Sequence, residues 1–97
     1  MTRKEEIRQL ITQVLARQLA GRSYRAFLFG SQANRDELKR ADIDVGIWAD
    51  EALPEVLLAQ ISDELHELPT LYPFDVVDFN RTQESFRQVA LQRTEPL

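Results

Sequence analysis

The chain has 97 residues, of which 43% are hydrophobic and 29% charged, with a formal net charge of −4 and no cysteine. This length supports one hydrophobic core, so we expect residues 1–97 to form a single domain. No apolar run approaches the roughly 20 residues that a membrane-spanning helix needs, and no apolar signal core follows the basic N-terminus, which favours a cytoplasmic protein without membrane contact. The acidic balance argues against direct nucleic-acid binding as the main role.

Hydrophobic periodicity predicts helices that alternate with strands. Apolar residues at three- and four-residue steps predict a first helix over 5–19, and Gly21 then ends it. The other predicted elements are a strand over 24–29, a short helix or helical turn over 32–39, a strand from Asp42 to about Trp48, a second long helix opened by Leu53-Pro54, a strand over 74–79, and a last helix that Thr82 would cap. This order predicts an α/β sandwich.

The first motif is Phe29-Gly30-Ser31, where the apolar strand ends in a Gly-Ser turn. Backbone N–H groups at such a turn can point at one spot and bind a phosphate. Gly30 allows a close backbone approach, and the Ser31 hydroxyl can both donate and accept a hydrogen bond. A Gly-Ser pair alone is more often an ordinary turn, so the motif indicates a phosphate site only in combination with a second one.

That second motif is an acidic pair, Asp42 and Asp44, which begins after ten intervening residues. Alternate side chains of a strand share a face, so the two carboxylates should project together, away from the apolar residues between and after them. Like charges this close destabilise a fold unless a cation or hydrogen bonds offset them. Oxygen ligands in a chain without cysteine favour Mg2+ over zinc or copper.

A third carboxylate is expected from the strand over 74–79, which carries Asp75 and Asp78. These residues fall on opposite faces of that strand, so only one of them can face Asp42 and Asp44. Spacing alone does not choose between them, although a structural role is the more frequent outcome for Asp78 at the strand end. Among the cations between the two motifs, Arg35 is the candidate phosphate ligand, and Lys39 and Arg40 are more readily explained as solvated.

The Gly-Ser turn and the acidic pair resemble the signature of the nucleotidyltransferases of the DNA polymerase β superfamily, and the short length resembles its minimal nucleotidyltransferase (MNT) branch. The resemblance covers nearly the whole chain. It implies a small mixed sheet of about three strands with helices mainly on one face, and no separate acceptor-binding domain. It also implies that Asp75 is the third metal ligand beside Asp42 and Asp44, with Gly30, Ser31 and Arg35 at the nucleotide.

By the same resemblance, the expected activity is Mg2+-dependent transfer of AMP from ATP to a partner protein. The chain resembles the MNT antitoxins that AMPylate a tyrosine of a helical HEPN-type toxin. A hetero-oligomer with such a toxin is therefore expected. The chain has Asn34-Arg35 and Ala41 where the family commonly has Arg-Gly and Ser. These departures favour an alternative, a non-catalytic subunit that binds nucleotide or docks onto a HEPN-type protein. A further alternative is transfer onto a small molecule.

Overall fold

The computed structural model describes residues 3–35, 38 and 42–97. In chain order the elements are α1 (Arg3–Gln18), β1 (Tyr24–Phe29), a short 3₁₀ helix (Gly30–Gln32), β2 (Ile43–Ala49), α2 (Glu55–His66), β3 (Phe74–Asp78), a second 3₁₀ helix (Phe79–Arg81), α3 (Glu84–Ala90) and β4 (Thr94–Pro96). Lys39, Arg40, Ala41 and part of the helical turn predicted over 32–39 lie outside the described residues. None of the described helices is long and apolar enough to span a bilayer.

The strands form one mixed sheet in the order β3-β2-β1-β4. β1 pairs antiparallel with β2 and with β4, whereas β2 pairs parallel with β3. The crossover between the two parallel strands is made by α2, as parallel pairing requires. This confirms the predicted mixed α/β fold, and the structure adds β4 to the expected three strands.

One face of the sheet is covered by α1 and α2. Both helices bury an apolar stripe at helical spacing, and the sheet contributes the apolar residues that alternate with its acids. The buried residues of this core are Ile7, Ile11, Val14, Leu15, Leu19, Leu28, Ile43, Val45, Ile47, Leu53, Ile61, Leu65 and Phe74. The helices therefore pack mainly on one face, as expected.

The opposite face carries an aromatic cluster of Phe27, Phe29 and Phe79. Their rings meet edge to face, with centroids 4.9 Å apart for Phe27 and Phe79 and 5.3 Å apart for Phe29 and Phe79. Gly46 of β2 makes room for this cluster, because a Cβ there would lie 2.5 Å from the Phe27 ring and 2.8 Å from the Phe79 ring. The short α3 lies over this face through Phe86, whose ring centroid is 6.1 Å from that of Phe29.

The start of α3 corrects one sequence prediction. Gln83, not Thr82, occupies the N-cap position of α3, and its side chain makes no capping hydrogen bond. The Thr82 hydroxyl instead donates to the carbonyl of Phe79 at 2.7 Å, because Thr82 ends the preceding 3₁₀ helix. The Arg87 side chain donates to the Thr82 carbonyl and so connects α3 to this turn.

Candidate functional site

A row of register partners crosses all four strands at one end of the sheet. Asp75 pairs with Asp44, Asp44 pairs with Phe29, and Phe29 pairs with Thr94. Paired residues of neighbouring strands point to the same face, so Asp44 and Asp75 both project on the aromatic face, away from α1 and α2. Asp42 lies two residues before Asp44, just outside β2, and is exposed.

The Asp44 carboxyl is electrostatically unfavourable in its ionised form. Burial raises its pKa above the ordinary value, and the nearby charges of Asp75 and Asp42 raise the pKa further. A cation placed among the three groups would offset this repulsion. Within 3–35 and 42–97, however, no three acidic or histidine side chains are close enough together to hold a metal ion as they stand. Asp44 and Asp75 therefore share a face, and the charges of Asp75 and Asp42 act on Asp44, but the three carboxylates do not form a ligand set for a metal ion.

Gly30 brings the two sequence motifs into contact. Its backbone has a φ of +76°, which a residue with a side chain rarely adopts. A Cβ at this position would lie 2.5 Å from Oδ2 of Asp44. The Asp44 carboxylate thus rests directly against the Gly30 backbone. The Asp44 carboxylate is a ligand type that a hard cation such as Mg2+ prefers, together with water and phosphate oxygens.

A cleft of about 570 Å³ opens beside this contact. One wall is Phe29, Gly30 and Ser31, and the other is formed by α3 and the residues after it, namely Phe86, Val89, Ala90, Gln92 and Arg93. Its size falls within the usual range for small-molecule sites. The cleft therefore has room for a ligand of nucleotide size next to the acidic row.

Asp75 and Asp78 lie on opposite faces of β3 and therefore have different environments. Asp75 is exposed on the face of the row, whereas Asp78 is 4% exposed and points toward the α2 side of the sheet. Asp78 accepts hydrogen bonds from the backbone N–H of Leu53 at 2.8 Å and of Asn80 at 3.0 Å. Asp78 therefore stabilises the fold, in agreement with the more frequent of its two predicted roles.

Two arginines, Arg35 and Arg93, differ in their position relative to the cleft. Arg35 is half-buried, its carbonyl accepts a hydrogen bond from the Lys4 ammonium of α1, and it is not among the described residues that line the cleft. Arg93 is exposed and lines the cleft. Sequence reasoning did not identify Arg93, because a single arginine after the last predicted helix carries no pattern, and its proximity to Gly30 depends on strand pairing.

Comparisons with solved structures show the same fold. The tri-AMPylated Shewanella oneidensis HEPN toxin in complex with MNT antitoxin matches with a TM-score of 0.74 at 17% identity, covering 95% of this chain and 69% of that chain. A toxin–antitoxin structure with AMP-PNP matches with a TM-score of 0.74 at 18% identity, covering 91% and 69%. The toxin–antitoxin MntA-HepT matches with a TM-score of 0.73 at 16% identity, covering 95% and 69%.

A search of curated protein sequences gives no significant match. The family model described as polymerase beta, nucleotidyltransferase, by contrast, matches residues 9–97. This range includes the Gly-Ser turn, all three candidate metal ligands and every strand of the sheet. The chain therefore belongs to the polymerase beta nucleotidyltransferase family.

Proposed function

We propose that this chain is a Mg2+-dependent nucleotidyltransferase that transfers AMP from ATP to a partner protein. The observation that carries the proposal is the in-register placement of Asp44 and Asp75, with Asp44 against Gly30 of the turn that lines a cleft of about 570 Å³. Family membership supports the reaction type. Similarity to a toxin–antitoxin structure with AMP-PNP and to a complex with an AMPylated toxin supports the choice of nucleotide.

Each predicted site residue has a role in this proposal. Gly30 and Ser31 would donate backbone and hydroxyl hydrogen bonds to the nucleotide phosphates, and Arg35 remains the cation predicted from sequence to approach them. Asp42, Asp44 and Asp75 would hold Mg2+. When bound, the ion would neutralise phosphate charge and lower the pKa of the attacking hydroxyl.

The reaction is an in-line displacement at the α-phosphorus of ATP. The acceptor hydroxyl oxygen forms a bond to the α-phosphorus, and the bond from that phosphorus to the oxygen bridging the α- and β-phosphates breaks. Pyrophosphate leaves with the electron pair of the broken bond. The proton of the acceptor hydroxyl passes to the Asp75 carboxylate, which is exposed and can release it to water.

The proposed acceptor is a tyrosine of a HEPN-type toxin, bound in a hetero-oligomer with this chain. Apolar side chains on and just after α3, beside the cleft, support a protein acceptor: Phe86 is 41% exposed, Val89 69% and Leu91 38%. A partner that covers these residues would bring its own hydroxyl group to the cleft. The structurally similar complex with MNT antitoxin contains a toxin of this kind.

The test is intact-protein mass spectrometry of a HEPN-type protein that binds this chain, after incubation with this chain, ATP and Mg2+. We expect a mass gain of one or more AMP units. The Asp42→Asn/Asp44→Asn variant should reduce the initial rate of modification at least about 100-fold, because it removes two of the three carboxylates. The control variant Asp50→Asn/Asp63→Asn makes the same charge change at two exposed positions and should retain full activity. Equal modification by both variants would refute the proposal.

A second function is a docking subunit that neutralises a HEPN-type protein by binding alone. It is favoured by the separation of the described carboxylates, which do not gather into a metal-binding group, and by the exposed apolar residues of α3. A stable complex of the two proteins, with no mass gain in the presence of ATP and Mg2+, would establish this function in place of transfer.

A further inference from the structure

We propose that Arg93 binds the β- and γ-phosphates of the nucleotide and holds the pyrophosphate as it leaves. This inference rests on the proposed function and adds a residue to its site. The supporting features are the position of Arg93 opposite Gly30, its lack of a partner among the described residues, and the order of charges along the row of strand partners.

Strand register places Arg93 directly beside the Gly-Ser turn. Phe29 of β1 pairs antiparallel with Thr94 of β4. In an antiparallel pair, the residue after Phe29 lies opposite the residue before Thr94, which brings Gly30 next to Arg93. Both residues line the same cleft. Arg93 is therefore held near the turn by β4 and does not depend on a long loop for its position.

The Arg93 guanidinium is available for a ligand. It is exposed, and among the residues that the structure describes it makes no hydrogen bond or ion pair. Six of the eight other described arginines are engaged: Arg3, Arg8, Arg17 and Arg81 form ion pairs, and Arg25 and Arg87 lie over the Trp48 ring. An uncommitted guanidinium at a cleft is suited to phosphate, because its planar donors bind two oxygens at once.

The order of charges across the sheet indicates which phosphates Arg93 would bind. The acids lie on β3 and β2, the Gly-Ser turn follows β1, and Arg93 lies just before β4 at the far side. A nucleotide whose reacting α-phosphate is next to the acids extends its remaining phosphates past Gly30 toward β4. Arg93 would then meet the two phosphates that leave together as pyrophosphate, and would neutralise the charge that develops on them.

The test is isothermal titration calorimetry of the full chain with ATP and with AMP, each in the presence of Mg2+. Arg93→Ala should weaken ATP binding about tenfold or more, since it removes a charge-assisted bidentate contact, and should leave AMP binding unchanged. Arg93→Lys, which keeps the charge but not the planar donors, should weaken ATP binding less. Arg22→Ala is the matched control, because Arg22 is an exposed arginine in a separate surface depression that includes the end of β2.

The outcomes separate this inference from the proposed function. If the unsubstituted chain binds ATP and Arg93→Ala binds it equally well, or loses affinity for ATP and AMP alike, the role of Arg93 is refuted while the nucleotide site stands. A loss in Arg22→Ala as large as in Arg93→Ala would also refute it, because the effect would then be one of net charge. If the unsubstituted chain binds neither nucleotide, the proposed function fails together with this inference.

Discussion

At the scale of single residues, Asp44 occupies an unfavourable position that a ligand could relieve. It is half-buried, it lies against the Gly30 backbone, and it lies near two other acids. Its raised pKa is the sum of burial and of the charges of Asp75 and Asp42. Such groups often occur at functional sites, where stability is given up for a charge arrangement that the ligand completes.

This position predicts a pH-dependent cost to the ligand-free fold. The pKa of Asp44 is raised from 3.8, so the folded protein keeps this proton to a higher pH than the unfolded chain does. The contribution of Asp44 to stability is therefore fully present below pH 3.8 and is lost as the pH rises through the raised pKa. Asp44→Asn should match the unsubstituted protein at low pH and become more stable than it at neutral pH. Urea unfolding across this range measures the difference.

Two further measurements sharpen this prediction. Mg2+ should raise the neutral-pH stability of the unsubstituted protein more than that of Asp44→Asn, because only the former has the full acidic group to neutralise. Asp63→Asn, on the exposed surface of α2, should change stability by less than about 0.5 kcal/mol at any pH. A constant difference between Asp44→Asn and the unsubstituted protein from acid to neutral pH would contradict the assigned cause.

At the scale of elements, β3 carries one acid for the site and one for the fold. Asp78→Asn should destabilise the protein by about 1–3 kcal/mol, because it places an amide where a carboxylate accepts from the buried N–H of Leu53. Asp75→Asn, on the exposed face, should change stability by less than about 0.5 kcal/mol but abolish AMP transfer. Chemical unfolding followed by the fluorescence of Trp48, the single tryptophan, tests the first effect. Equal destabilisation by the two substitutions would contradict this division.

The elements also show what the sequence could predict. The stripe that includes Ile7, Ile11 and Val14 is long enough to identify α1 to within a few residues, and α2 has a similar stripe. β4 has only three residues and ends in proline, so it has strand character only through its pairing with β1. The wrong cap at Thr82 has a similar origin, since a second 3₁₀ helix competes for that residue.

Some features of the candidate site could likewise be predicted from local sequence patterns, and others depend on strand pairing. The prediction that Asp42 and Asp44 share a face rests on the two-residue period of a strand and needs no knowledge of the fold, although β2 begins at Ile43, after Asp42. The pairing of Asp44 with Asp75 depends on the register of two strands joined through α2, which no local pattern specifies. Only the resemblance to a family indicated Asp75. Neither the local sequence patterns nor that resemblance indicated Arg93.

At the scale of the whole molecule, the two faces of the sheet are stabilised unequally. The helices on one face have deeply buried stripes, whereas α3 on the other face has no buried residue. The aromatic cluster holds α3 through the partly exposed Phe86. Segments with so few buried contacts open at lower free energy than the core does. The wall of the cleft is thus the less stable part of the fold.

Hydrogen exchange should reveal this asymmetry. Backbone amides of α3 should exchange at least about tenfold faster than those of α1, because α3 has few buried contacts and opens at a lower free energy. A tenfold ratio corresponds to a difference of about 1.4 kcal/mol in opening free energy. ATP with Mg2+ should slow exchange in α3 more than in α1, because α3 lines the cleft. Exchange measured by mass spectrometry of peptides from each helix makes the comparison. Equal protection of α1 and α3, with or without nucleotide, would contradict it.

The contact between Gly30 and Asp44 restricts which residues position 30 can hold. Because a single methyl group at position 30 would overlap Oδ2 of Asp44, the two motifs are linked by steric exclusion as well as by a shared ligand. A larger residue at position 30 would require the carboxylate to move or to be lost. The dependence runs in one direction: a side chain introduced at position 30 has to be designed together with position 44, whereas position 44 can be changed while Gly30 is kept.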